Sequence, residues 1–401
     1  MRTIPFFLCF LIGFLIHPLI AFIVAWILMF KHKLKDTKVN VCLLIISMFW
    51  GILAFTQKSH ASIDTDSVRY YQIFSVFINV SPTLALAGME FEDLVNFAFI
   101  PINAILVSLT KNPQSMSFFW VTTSYMFAYL SVRRLMNYYK CYTQQRYTKI
   151  LLLLTFVFML FVQISELLKQ ASAFAVFFYA LTIYIEKGFS IKSIVFLIMA
   201  IGIHPSMLMV TPLFLYKLIP TKTLLLCAVV LSPLFMAVDV FPLLFSLLPG
   251  GGYTEKLTEQ YSTYGDGSIA SPQYIAIEIL MLIMSLNLWI HTRKRRCYET
   301  NIIILYFIIS FANFGNLIAF LRFALFSHWL FALMIVKYYS TSNFHLTQIA
   351  KGVIFLMFLL SLRFTNGRLT GSYRSSYMDN SIIKIATSTS KQYLDIKYNE
   401  P

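Results

Sequence analysis

Charge is what this chain has least of. Only 12% of its 401 residues are Asp, Glu, Lys or Arg, while 58% are hydrophobic, and the mean hydropathy is +0.72. A water-soluble core of this size would leave large apolar patches exposed, so a soluble globular protein is excluded and a polytopic membrane protein is expected. Cysteine is sparse too: Cys9, Cys42, Cys141, Cys227 and Cys297 include no CxxC pair, which indicates neither a disulfide framework nor a zinc site. The one glycine run, "PGGGY" at 249–253, lacks a following Gly-Lys-Ser/Thr and is loop chemistry, not a P-loop. No small-residue cleavage site follows the first apolar run, Phe6 to Phe30. It also exceeds the ~7–15-residue apolar region of a signal peptide, so it reads as a retained span.

Acid is scarcer than base, 17 residues against 32, and the surplus marks topology. The basic residues sit in short connectors between apolar runs, as the positive-inside rule requires, and no nucleic-acid partner is expected. "KHKLKDTK", 31–38, is placed in the cytoplasm, as are "RRLMNYYKCYTQQRYTK", 133–149, "EKGFSIK", 186–192, and "TRKRR", 292–296. By parity Val39 to Phe55 leads to an outer segment, 56–93, and a second outer loop follows at 248–272. Between Leu94 and Val132 an odd number of crossings is needed. Asn96, Pro101, Asn103 and Ser108 weaken the first run, so Leu94 to Thr110 is read as an interfacial or re-entrant helix. Ile150 to Ile164 and Ala171 to Ile185 cross, Ser193 to Leu218 is a hairpin with "HPSM" at its tip, and Asn301 to Leu321 and Phe323 to Tyr339 are late spans. The expectation is an all-α bundle of about twelve spans within one domain, 1–362, followed by a polar tail, 363–401.

Polar residues in such a chain are functional candidates by default, because a charge near the bilayer centre costs about 2.5–3.5 kcal/mol. "SHASIDTDSVRYYQIF", 59–74, crowds Asp64, Asp66 and Arg69 ahead of Tyr70 and Tyr71. A carboxylate in a partly dry pocket can act as a general base or steady a developing cation, and tyrosine faces suit sugar rings; a local Asp–Arg pair that orders the loop is the plainer alternative. In "SELLKQASAF" Glu166 and Lys169 lie one helical turn apart. They read either as a snorkelling pair or, with Gln170, as a diphosphate site. His204, before Pro205, is either packing or an acid–base group at a hairpin tip. Arg322 and His328 flank an expected outer turn, where Arg322 needs an acidic or anionic partner.

Taken in order, "DTDSVRYYQIF", "MEFEDLVNFAFIPINAIL", "SELLKQASAFAVFFYALTIYIEK" and "IMAIGIHPSMLMVTPLFL" resemble the landmarks of the EpsG-like branch of Wzy-type polysaccharide polymerases, over about three quarters of the chain. In that family the third landmark usually carries Arg-Gln and the fourth Phe-His-x-Ser; this chain has Lys169-Gln170 and "IHPS". The outer acidic loop and re-entrant helix also resemble GT-C membrane glycosyltransferases. The resemblance implies polymerisation of undecaprenyl-diphosphate-linked oligosaccharide repeat units into O-antigen or a related surface polysaccharide, on the outer side of the bacterial inner membrane. It implies His204 or an aspartate, Asp64 or Asp66, as base, and Lys169, Arg69 and Arg322 at the departing diphosphate. No cofactor is expected, although Asp64 and Asp66 could share a hard cation with diphosphate oxygens. A polysaccharide chain-length regulator is the expected protein partner. A repeat-unit flippase and a GT-C transferase adding one sugar are the competing readings.

Overall fold

The structure is a computed structural model and describes residues 16–31, 34–56, 66–87, 96–237, 272–292, 298–314, 317–341 and 351–356, with isolated residues in 10–13 and 348–359. Among the described residues every regular element is a helix. The chain divides into two compact units, Met1–Met207 with Leu359–Pro401, and Leu208–Phe358.

The first unit holds α1 (Pro18–Lys31), α2 (Asp36–Phe55), α3 (Asp66–Phe74), α4 (Pro82–Ala87), α5 (Phe99–Thr110), α6 (Ser115–Tyr138), α7 (Gln144–Leu153), α8 (Phe161–Glu166), α9 (Leu168–Lys187) and α10 (Ile191–Ile203). Its spine is the row α2, α6, α9, α10, each packed on the next. Small residues let these backbones approach where lipid provides no hydrophobic drive between helices. Gly51 of α2 faces α6 so closely that a Cβ there would lie 2.7 Å from the Phe118 carbonyl oxygen. Between α6 and α9, Ser124 Oγ and Ser172 Oγ are 3.1 Å apart, with Ala171, Ala173 and Ala175 buried beside them. Trp50 adds a stacked contact with Tyr125, centroids 5.3 Å apart.

Ion pairs mark one end of this spine. Arg133, late in α6, meets Asp36 at the start of α2 at 2.5 Å, and Arg134 meets Glu186 at the end of α9 at 2.5 Å. Three connectors that the positive-inside rule assigns to the cytoplasm therefore meet at a single end. Gln144, opening α7, joins them by accepting the Leu34 N–H (2.7 Å) and donating to the Met29 carbonyl (2.8 Å).

Among the described residues three helices, Asp36–Phe55, Leu168–Lys187 and Ala319–Lys337, are long and apolar enough to cross a membrane. Others of the expected spans appear as shorter apolar helices, among them Pro18–Lys31, Ile191–Ile203 and Glu299–Ala312, of about 20 Å at 1.5 Å per residue. α5, with 12 residues, reaches about 18 Å and, like these helices, falls short of a ~30 Å hydrocarbon core. It ends at Lys111 in the left-handed region (φ 55).

Two expectations need correction. The run Ile150 to Ile164 is not one helix: α7 passes into a π-helical turn, Leu154–Phe158, and the chain leaves helical geometry at Met159 (φ −102, ψ 85) before α8. The cause is side-chain competition for the ladder. The Thr155 hydroxyl bonds the Leu151 carbonyl at 2.7 Å and the Tyr129 hydroxyl at 2.8 Å, while the Tyr125 hydroxyl donates to the Met159 carbonyl at 3.3 Å.

The second correction lies in the other unit, which contains α12 (Thr221–Ala237), α13 (Pro272–Thr292), α14 (Glu299–Ala312) and α15 (Leu317–Thr341), with a 3₁₀ turn at Thr211–Leu215. The four-residue α11 (Met207–Val210) links the two units along the chain. α13, α14 and α15 pack pairwise, and α12 lies on α14. Arg322 does not sit at a turn between spans. α14 stops at Ala312 and α15 begins at Leu317, so Arg322 is already inside a helix and the chain turns before it, at Asn313 and Phe314. Asn is a turn-forming residue, and in the sequence it outweighs the charge as a boundary signal. His328 is likewise mid-helix and only 2% exposed.

Candidate functional site

α3 is fixed by one hydroxyl. Ser67 Oγ donates to the Ser165 carbonyl at 2.5 Å and lies 3.2 Å from the Glu166 carbonyl oxygen. Helix ends leave carbonyls without intrahelical partners, and the break between α8 and α9 at Leu167 (φ −97, ψ 45) creates such an end in mid-segment. Ser67 caps it from α3. Two sequence landmarks about a hundred positions apart are thereby joined: Asp66 opens α3, and Glu166, Lys169 and Gln170 flank the α8–α9 break.

Phe99, the first residue of α5, is the centre of the assembly and is 2% exposed. The Tyr70 ring lies 5.2 Å from it, Phe74 lies 6.2 Å away, and Trp120 of α6 stacks at 5.3 Å with an interplanar angle of 22°. Lys169 Nζ sits over the same ring, 5.7 Å from its centroid, within the ~6 Å reach of a cation–π interaction. Arg69 lies 5.9 Å from the Tyr70 centroid. One turn along α5, Asn103 accepts the Trp120 indole N–H at 2.7 Å, which fixes the plane of the stack. Tyr71 is anchored by a hydrogen bond to Ser117 at the start of α6. Burial pushes its hydroxyl up to about 12, against the smaller opposing effect of Ser117, so Tyr71 is a neutral phenol that anchors α3 and does not act as a base.

His204 caps α10 in an extended conformation (φ −145, ψ 119). Two residues earlier the Gly202 carbonyl accepts the Ala98 N–H at 3.0 Å, and the Phe97 ring fills the space a Cβ on Gly202 would need. The hairpin tip thus abuts the residues that lead into α5 and Phe99. The Ser206 N–H donates to His204 Nδ1 at 3.1 Å. With Nδ1 accepting, a neutral imidazole carries its proton on Nε2. The buried atoms Asn96 Oδ1, Gln170 Oε1 and Ser206 Oγ, drawn from three segments of this region, have no hydrogen-bond partner among the described residues.

Arg69, Tyr70, Tyr71, Glu166, Lys169, Gln170 and His204 therefore lie together at the end of the spine opposite the ion pairs, with Asp66 at the head of α3. Asp64 lies outside the described residues. Arg322 and His328 belong to the other unit. Among the described residues no three His, Cys, Asp or Glu side chains cluster as a metal site requires. Sequence reasoning missed Ser67, Phe99, Asn103, Ser117 and Trp120. The only trace of them was the pair Phe99 and Asn103, spaced i, i+4 in a helix already marked as polar.

A family model, that of the EpsG family, matches residues 43–373, a stretch containing every residue of this cluster. No curated protein and no solved structure matches the chain. On a match spanning most of its length, the chain belongs to the EpsG family.

Proposed function

We propose that this protein is a membrane glycosyltransferase that polymerises undecaprenyl-diphosphate-linked oligosaccharide repeat units into O-antigen or a related surface polysaccharide, on the outer side of the inner membrane. The observation that carries this reading is the placement of Lys169 and Tyr70 on one aromatic ring, Phe99, at the end of the helical spine remote from the ion-paired basic connectors. A sugar hydroxyl attacks the anomeric carbon of a second lipid-linked chain. A new C–O bond forms, the bond from that carbon to the diphosphate oxygen breaks, and undecaprenyl diphosphate leaves with the bonding pair. The hydroxyl proton must pass to a base as attack proceeds.

Asp66 is the base in this scheme. His204 is less suited, because its Nδ1 already accepts the Ser206 N–H and its Nε2 presents a proton; it acts as a hydrogen-bond donor to the leaving group or the sugar. Lys169 and Arg69 offset the charge that develops on the departing diphosphate. The accessible part of the Tyr70 ring, backed by the buried Phe99, receives a sugar ring.

The test is a deletion strain complemented with variants, with extracted polysaccharide resolved by chain length. Asp66→Ala and Lys169→Ala are expected to abolish the ladder while leaving single repeat units on the acceptor. Lys169→Arg is expected to retain it, since a guanidinium also stacks on an aromatic face. An Asp66→Ala strain with a normal ladder removes the catalytic assignment. Loss of single units as well points to a flippase, and a ladder shifted by one sugar points to a single-sugar transferase.

A further inference from the structure

Residues 66–87 belong to a segment that parity assigns to an outer loop, yet they do not present the surface of a loop in water. Their two helices, α3 and α4, and the 3₁₀ turn between them, Ser75–Asn79, turn large apolar side chains outward. Ile73 is 53% exposed, Val76 65% and Leu84 66%, and Leu109, near the end of α5, is also 66% exposed. α4 and the 3₁₀ turn pack on α5, so these residues belong to one assembly. The inner face of α3 is already occupied: Ser67, Tyr71 and Phe74 are buried and hold it to the α8–α9 break, to α6 and to Phe99.

Two contacts fix the depth of this layer against the spine. Tyr71 bonds Ser117 of α6, and the next residue along α6, Phe118, abuts Gly51 of α2. Gly51 lies about one turn, or about 6 Å, before Phe55, the end of a helix long and apolar enough to span. α3 is therefore level with the last turn of an apolar helix and not beyond it. That offset falls within the ~5–10 Å to which amphipathic helices sink into a membrane surface.

The backbone sets a limit in the other direction. Helices of 9, 5 and 6 residues leave N–H and C=O groups without intrahelical partners at every end, and hydrocarbon does not tolerate such groups facing lipid. Two of them are met by exposed polar side chains: Lys111 Nζ donates to the Val80 carbonyl at 3.4 Å, and Ser81 Oγ accepts the Leu84 N–H at 3.4 Å. A protein partner suits the surface poorly. Its apolar residues are interleaved with exposed Arg69, Gln72, Asn79 and Thr83, whereas the core of a protein interface is depleted of charge. The boundary between headgroups and acyl chains solvates both kinds of side chain at once.

We infer that residues 66–87, with the end of α5, form a layer seated at the headgroup–acyl boundary of the membrane, where Ile73, Val76, Leu84 and Leu109 contact acyl chains. Arg69, Ile73 and Val76 follow one another at i, i+4 and i+7, so a single stripe carries its charge at the head and apolar groups behind it, with Arg69 at the level of the lipid phosphates. This depth stands without the reaction proposed above. Joined to it, the diphosphate of a lipid-linked substrate reaches Arg69 and Lys169 without leaving its leaflet.

The experiment uses the full chain with its five cysteines replaced, carrying a single cysteine at Ile73, Val76, Leu84 or Leu109, labelled with an environment-sensitive fluorophore and reconstituted in phosphatidylcholine vesicles. All four are exposed positions, and the melting temperature of each labelled chain against the unlabelled one verifies the fold. Emission at all four is expected to be blue-shifted from that of the dye in water. It is also expected to be quenched more by lipids carrying a nitroxide near the headgroup than by lipids carrying it near the chain end, and only weakly by aqueous iodide. Strong iodide quenching without nitroxide quenching places the layer in water and overturns the inference. Stronger quenching by the deep nitroxide overturns it as well, since the layer then lies in hydrocarbon. So does a blue shift that neither quencher touches, because a second copy or another protein then covers the surface.

Discussion

Tyr71 illustrates how a side chain selected for chemistry can serve as an anchor. As one of a tyrosine pair after two aspartates it reads as a sugar platform, yet Tyr70 holds that position and Tyr71 points inward to Ser117. Its hydroxyl has an ordinary value of 10.0 and stands at about 12 in the folded protein. Below about pH 10 the phenol is neutral in both folded and unfolded chains, and the stabilisation is fully present. Above it the unfolded chain releases its proton first, so stability falls as pH climbs from about 10 towards about 12, by about 3 kcal/mol for this group. Replacing Tyr71 by Phe is expected to lower the melting temperature at neutral pH and to flatten this part of the alkaline decline. Melting curves at pH 8, 10 and 11 check it, and an unchanged alkaline slope in the variant refutes it. The residue types were legible because charges and tyrosines are costly in an apolar chain. Their division of labour was not, since it depends on which face of α3 meets α6. Phe99 was illegible for the opposite reason: among 39 phenylalanines nothing in the sequence distinguishes the one that α3, α6 and a lysine of α9 surround.

At the level of elements, the site depends on a flaw in a helix. An unbroken helix through Phe161 and Lys187 would satisfy the Ser165 carbonyl internally and leave Ser67 with nothing to cap. The break at Leu167 exposes that carbonyl, and α3 is held by it. Ser67→Ala is therefore expected to act on position more than on folding. It removes one buried hydrogen bond, worth about 0.5–1.5 kcal/mol net, and frees the head of α3, where Asp66 lies. The expected outcome is a protein present in the membrane at near-normal level with a sharply reduced polysaccharide ladder. Ser67→Thr, which keeps the hydroxyl, should restore much of it. If Ser67→Ala makes a normal ladder, α3 does not depend on this cap. Several helices follow the apolar runs, including the short α5 and α10, while the second arm expected of the hairpin, up to Leu218, holds only the four-residue α11 and a 3₁₀ turn. The reading failed where side chains intervene in the backbone ladder, as Thr155 and Tyr125 do after α7, and where a charge was given more weight than the turn-forming Asn313 before α15.

Across the whole first unit, polarity along the helix axes organises everything else. Asp36, Arg133, Arg134 and Glu186 close one end, while Arg69, Lys169 and His204 lie at the other. α9 alone, with 20 residues, separates its two ends by about 30 Å, the thickness of a hydrocarbon core. The positive-inside rule assigns each connector from its own charge, independently of which connectors touch. Their meeting in ion pairs is thus an independent sign that they share a side. Labelling settles which side faces the cytoplasm. In a chain whose five cysteines are replaced, cysteine at Arg69 or at Lys187, both exposed, is offered a membrane-impermeant maleimide in intact cells. Arg69→Cys is expected to react at once, and Lys187→Cys only after the membrane is opened. Reaction of both from outside would dismantle the two-ended arrangement. Reaction of Lys187→Cys alone would keep the arrangement but invert it, turning the aromatic cluster towards the cytoplasm and removing the outer-side reaction proposed above.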